Sequence, residues 1–298
     1  MDRHIGFVHD PYCHRHHLDG EYCMSKVEKA LQKARAMEGL QDAAAPAVET
    51  QELVSTSTQL GPYSDPMAHM AEPWRLSEAD LINARIIFPE MEDYRVADAF
   101  REIRTKIVQA SPSNNCVTLV TAITSGGGAS FVALNLAAAF TFDERKSALL
   151  IDCNLRRPGF ENLLSSEAHY GLTDYLETEG LEEDRIIHPV GIPRLRLVPA
   201  GRRSEIQTEQ LGSVKMRALI DGVKQRYTDR YVILDAASIS DSADVRILSE
   251  LSDFILLVVP YGKVTEAELW NAAKSIDEKK FIGVVFNNEP QLPKFLWS

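Results

Sequence analysis

The ten residues from Thr121 to Ser130 read TAITSGGGAS, and the helix-forming run FVALNLAAAF follows at once. Glycines between an apolar run and a helix start let backbone N–H groups and the positive end of the helix dipole converge on a phosphate. The same glycines would also serve a plain tight turn. Two further stretches bear on the choice. LLIDCNLRRP closes an apolar run at Asp152 and continues through Asn154, Arg156 and Arg157, and YVILD closes another at Asp235. A carboxylate at the carboxyl end of a buried strand lies where open α/β sheets bind ligands and where a nucleotide's metal is reached. Each Asp could instead cap a helix. Three such loops in order favour phosphate. The candidate cradle is therefore Ser125, Gly126, Gly127, Gly128, Ala129, Ser130, Asp152, Asn154, Arg156 and Asp235, with Ser130 and Asp235 as Mg ligands and Asp152 and Asp235 as the acids of any catalysis.

These residues need a scaffold. Short β-rich runs at Cys116–Thr121, Ser147–Asp152, Arg194–Pro199, Tyr231–Asp235, Asp253–Val259 and Phe281–Phe286 alternate with helical stretches. Most are continuously apolar, as strands buried on both faces of a parallel sheet must be. The expected fold class is α/β: a doubly wound, mostly parallel sheet with helices on both faces. Upstream, Ser77-Glu-Ala-Asp80 reads as a capping-box start of a helix interrupted near Pro89, and a second helix is expected over roughly Tyr94 to Gln109. Val27, Ala30, Leu31 and Ala34 share one stripe of a short amphipathic helix. The predicted organisation is an extension over 1–23, that helix over 24–36, a flexible linker over 37–75 and the phosphate-binding domain over 76–298.

Composition narrows the partners. In 298 residues, 45% hydrophobic and 25% charged content is that of an ordinary globular chain. A net charge of -11 opposes attraction to nucleic-acid phosphates, so nucleic acid is not an expected partner. The longest strongly apolar stretch, Phe254 to Pro260, is far below the ~20 residues of a membrane span, and no secretion signal is evident, so a cytoplasmic protein with no transmembrane segment is expected. Four cysteines make no disulfide framework, and Cys116 and Cys153 read as buried small hydrophobes. Cys13, His14, His16, His17 and Cys23 could ligate a metal, although their spacing matches no paired zinc pattern. They precede Met24, an alternative start of translation.

The order of motifs resembles the bacterial tyrosine kinases (BY-kinases) of the MinD/ParA-like deviant P-loop superfamily, which act in capsule and exopolysaccharide export. The resemblance runs from about Asp98 to Asn288. DAFREIRTKI is similar to the helix before the P-loop, with Asp98, Arg101 and Arg104 on its oligomerisation pattern. ALLIDCNLRRP resembles the Walker A′ element and YVILDAASISDSAD the Walker B region, with Asp235 and Asp244 on its acidic positions. GVVFN resembles the last strand, with Asn287 at an adenine-contacting site. The family implies ATP with Mg, a membrane polysaccharide co-polymerase encoded separately as partner, a peripheral place at the inner membrane through it, and homo-oligomers.

The departures matter as much. The family's P-loop carries a lysine where this chain has Ala129, and its second Walker A′ carboxylate is Asn154 here. No tyrosine follows Tyr261, where the family's phosphorylated tail is expected. A P-loop lysine neutralises phosphate charge, and losing one such contact costs on the order of 3 kcal/mol in a transition state. The expectation is a regulatory pseudo-kinase with weakened nucleotide binding. The alternatives are an active tyrosine autokinase or ATPase using Lys146, Arg156 or Arg157 instead, and a MinD/ParA-like positioning ATPase.

Overall fold

The computed structural model describes residues 4–6 and 73–289, apart from 93, 113–114, 165–168, 204–206 and 241–242. The helix at 24–36, most of the linker and the Cys13–Cys23 cluster lie outside the described residues. Eight strands form one sheet in the order β1-β8-β7-β2-β6-β3-β5-β4. The six inner ones are mutually parallel: β2 (Val117–Ala122), β3 (Ser147–Asp152), β5 (Leu195–Val198), β6 (Arg230–Asp235), β7 (Phe254–Pro260) and β8 (Phe281–Glu289). At the edges, β1 (His4–Gly6) and β4 (His188–Pro189) run antiparallel to β8 and β5. All six expected strands are present, with ends displaced by three residues at most.

The doubly wound arrangement follows from the strands' unbroken apolarity. Along β3, Ala148 and Leu150 join one buried cluster while Leu149 and Ile151 join the other; along β6, Tyr231 and Ile233 alternate with Val232 and Leu234. Every strand residue therefore meets a covering layer, as a period of two across a two-sided sheet requires. One layer holds α2 (Tyr94–Ala110) and α3 (Ala129–Phe140); the other holds α6 (Val214–Arg226), α7 (Asp244–Leu251) and α8 (Glu266–Lys274). Two shorter helices, α4 (Leu172–Glu177) and α5 (Gln207–Leu211), complete the middle of the chain. Cys116 and Cys153 are free, buried thiols, as expected.

The domain's first described helix, α1 (Glu78–Ala84), starts at the predicted capping box, with Ser77 Oγ accepting from Asp80 N at 3.2 Å. Packing begins slightly earlier. Leu76 N donates to Gly191 O at 2.8 Å, and Gly191, at φ +74, leaves no room for a Cβ beside the Trp74 ring. After α1 the chain is sewn onto α3 by one polar side chain that no motif foretells. Asn135, fully buried, accepts from Ile87 N at 2.8 Å and donates to Arg85 O at 3.1 Å. A buried amide with this many partners substitutes for the ladder that an irregular segment lacks.

Asn135→Ala should therefore destabilise the chain by about 1–3 kcal/mol, the penalty for stranding the Ile87 N–H, with m unchanged. A urea midpoint equal to that of the parent chain would remove this clasp from the account of the fold.

Candidate functional site

Strand β2 delivers the chain to a loop, 123–128, and α3 begins at Ala129. Gly126 (φ +71) and Gly128 (φ +94) occupy the left-handed region that glycine adopts without strain, and Gly127 N donates to Thr124 O at 3.1 Å. Behind the loop stands Asn287 of β8, fully buried. Its Nδ2 donates to Gly127 O at 2.9 Å, and a Cβ at position 128 would lie 1.9 Å from the same nitrogen. Through this bond the amide clamps the phosphate loop from the sheet side.

Strand parity brings the two acids together. Asp152 and Asp235 are register partners at the ends of β3 and β6, and both share the parity of the residues facing α3. Ser130, in the first turn of α3, donates Oγ–H to Asp235 Oδ2 at 2.6 Å, while Asp235 Oδ1 has no hydrogen-bond partner among the described residues. Asp152 accepts twice, from Asn154 N at 3.1 Å and Gly159 N at 3.0 Å. Burial pushes the Asp235 carboxyl well above its ordinary value, the neighbouring Asp152 charge adds to that, and the Ser130 bond works against it. Burial likewise pushes Asp152 up to about 7, against the pull of its two N–H donors.

Those two donors shape the turn after β3. Arg157 N donates to Asn154 O at 3.0 Å, and Gly159 comes so close to Ser130 that a Cβ would touch its side chain at 3.4 Å. From this turn Arg157 Nη1 donates to Ser125 Oγ at 2.6 Å, across the lip of the loop. The resulting cleft measures about 540 Å³ and is lined by 124–131, Asn154, Arg156, Arg157 and 236–238. Ser125 to Ser130, Asn154 and Arg156 thus meet in one place, with Asp152 and Asp235 buried beneath it. The methyl of Ala129 is almost wholly covered, so position 129 presents no cation.

The remaining predicted residues do not line this cleft. Lys146 immediately precedes β3, at the opposite end from Asp152, a span of about 17 to 20 Å for a six-residue strand. Its Nζ lies 5.4 Å from the Tyr231 ring centroid and 3.8 Å from Asp143, so it cannot replace the missing lysine. On α2, Asp98 and Arg101 form a surface pair at 2.7 Å, whereas Arg104 Nη1 donates inward to Ala139 O, near the end of α3, at 2.9 Å. Burial draws the Arg104 pKa down. Asp244 is buried at the start of α7.

No family model matches the chain. The tyrosine-protein kinase CpsD of Streptococcus agalactiae is 27% identical over 196 residues, covering 65% of this chain and 82% of that protein. That match spans most of a kinase's own length, and the phosphate loop with both strand-end acids stands assembled. The chain is a relative of the bacterial tyrosine kinases. A second relative, the succinoglycan biosynthesis transport protein ExoP of Rhizobium meliloti, is 27% identical over 202 residues, 64% of this chain but 25% of ExoP. The kinase domain of the Escherichia coli tyrosine kinase ETK superposes with a TM-score of 0.61 at 21% identity, covering 74% of this chain and 92% of that domain, which establishes the α/β P-loop fold. Among the described residues of this BY-kinase relative, no helix is long and apolar enough to cross a membrane.

The raised Asp235 value sets a pH dependence. Near pH 3.8 and below, folded and unfolded chains both hold the proton; as pH rises above that, only the folded chain keeps it, so stability falls. Asp235→Asn removes this liability while keeping an acceptor for Ser130. It should raise Tm, by more at pH 8 than at pH 4, in scanning calorimetry. A loss of Tm at pH 8 would show the charge to be compensated.

Proposed function

We propose that this chain is a cytosolic, regulatory relative of the exopolysaccharide and capsule kinases, which binds nucleotide weakly, turns it over scarcely, and works beside a membrane polysaccharide co-polymerase. The observation that carries this reading is a cradle complete except for the lysine of its helix. The glycine backbone, the Asn287 clamp and the Ser130–Asp235 pair are all in place, while position 129 is a buried methyl.

The residues present fit a phosphate group and its metal. Positive-φ glycines at 126 and 128 turn the loop into the start of α3, where an anion is favoured. Ser130 Oγ and the unpartnered Asp235 Oδ1 offer a hard cation oxygen ligands, directly or through water. Bound Mg would supply charge neutralisation for the phosphates. What position 129 cannot supply is the fixed ammonium, worth on the order of 3 kcal/mol where phosphoryl charge develops. Asn154, in place of a carboxylate, keeps an acceptor but contributes no charge.

Kinship supports the setting. The succinoglycan biosynthesis transport name of one relative and the kinase name of the other support a setting in polysaccharide export. An assembly through α2 fits the exposed Asp98–Arg101 pair, and a homo-oligomer joined there belongs to this proposal. A second reading, an active ATP-dependent tyrosine autokinase, is favoured by one contact, the Arg157 guanidinium on the loop.

Incubated with Mg·ATP, the purified full chain should form no phosphotyrosine. A pull-down from native membranes should recover a polysaccharide co-polymerase. Robust tyrosine phosphorylation that disappears in Asp235→Ala would sink the regulatory reading.

A further inference from the structure

We propose that Arg157 supplies, from the turn after β3, the phosphate-binding cation that position 129 lacks, and that the cleft so completed takes the pyrophosphate group of a nucleotide. The inference rests on the nucleotide reading of the cleft, and it is independent of whether the bound nucleotide is turned over.

Three observations carry it. The Arg157 guanidinium already reaches the loop, with Nη1 2.6 Å from the Ser125 hydroxyl, so a phosphate oxygen arriving at the lip needs only to take the place of that hydroxyl. The turn that presents it is held from both sides. Asp152 fixes its two ends through Asn154 N and Gly159 N, Arg157 N closes it on Asn154 O, and Gly159 abuts Ser130. Finally, Arg157 forms no ion pair among the described residues, so no carboxylate must be displaced before it can serve an anion.

A guanidinium suits this position better than an ammonium would. It approaches from the side of the cleft, where a planar fork of donors can hold two phosphate oxygens at once, and it is more weakly hydrated. The P-loop lysine and Arg157 would thus be alternative answers to the same charge, one rising from the first turn of α3 and the other descending from the facing turn. Arg156 lines the same cleft and already has an interaction of its own.

The test is calorimetric titration of the full chain with Mg·ADP and, separately, with inorganic pyrophosphate. Arg157→Gln should weaken both about tenfold or more, Arg157→Lys by less, and Arg156→Gln by a smaller factor than Arg157→Gln. The decisive variant combines Ala129→Lys with Arg157→Gln: a lysine on α3 should restore most of the lost affinity, whereas in the presence of Arg157 it should add little. A merely loop-bracing role predicts no such rescue. The proposal fails if Arg157→Gln binds as the parent does, if Ala129→Lys gains the same factor with and without Arg157, or if the parent chain takes up neither probe at millimolar concentration. Phosphotyrosine formation by the parent chain would overturn the regulatory reading while leaving Arg157 its role.

Discussion

Two carboxylates sit side by side beneath the glycine loop, and the arrangement around them is organised by how their charge is managed. Asp152 and Asp235 end neighbouring parallel strands in register, on the same face, nearly without solvent. Burying two acids together costs free energy, and each raised pKa records that cost. The structure answers with hydrogen bonds. Asp152 spends both oxygens on backbone N–H groups and so defines the turn that follows it; Asp235 takes one hydroxyl and keeps one oxygen unmatched.

The loop above them is governed by a different constraint, that of space. Asn287 presses on Gly128 so closely that no side chain fits there, and the same amide ties down Gly127. The cradle's shape therefore comes from the sheet's far strand, while its charge would come from side chains that enter from α3 and from the β3 turn. This separation explains how a lysine can be absent and the cradle remain standing. Backbone geometry and electrostatic equipment are held by different residues.

Much of this was legible before any coordinates. Short unbroken apolar runs alternating with helical stretches announced a two-sided parallel sheet, and LLID and YVILD, each ending in Asp, located both acids. The glycine loop could be read because φ > 0 has few substitutes. What stayed hidden depends on third-dimension partners. An Asn near the end of a strand gives no sign that it will grip a loop 160 residues earlier, and Asn135 in an apolar helix reads as an oddity until Arg85 and Ile87 are seen beside it. Lys146, one of three alternative cations, is set aside for a simpler reason. Nearness to β3 in the chain concealed that a strand has two ends, and that the chemistry is at the other one.

Helix α3 is a rod of 12 residues, about 18 Å long, and it is fastened at both tips. At one, Ser130 engages the acid beneath the loop; at the other, the last carbonyls receive Arg104 from α2. Between them nearly every side chain is buried, so the rod has little freedom to bend or turn. One stiff helix therefore joins α2 at its far tip to the acid beneath the glycine loop at its near one.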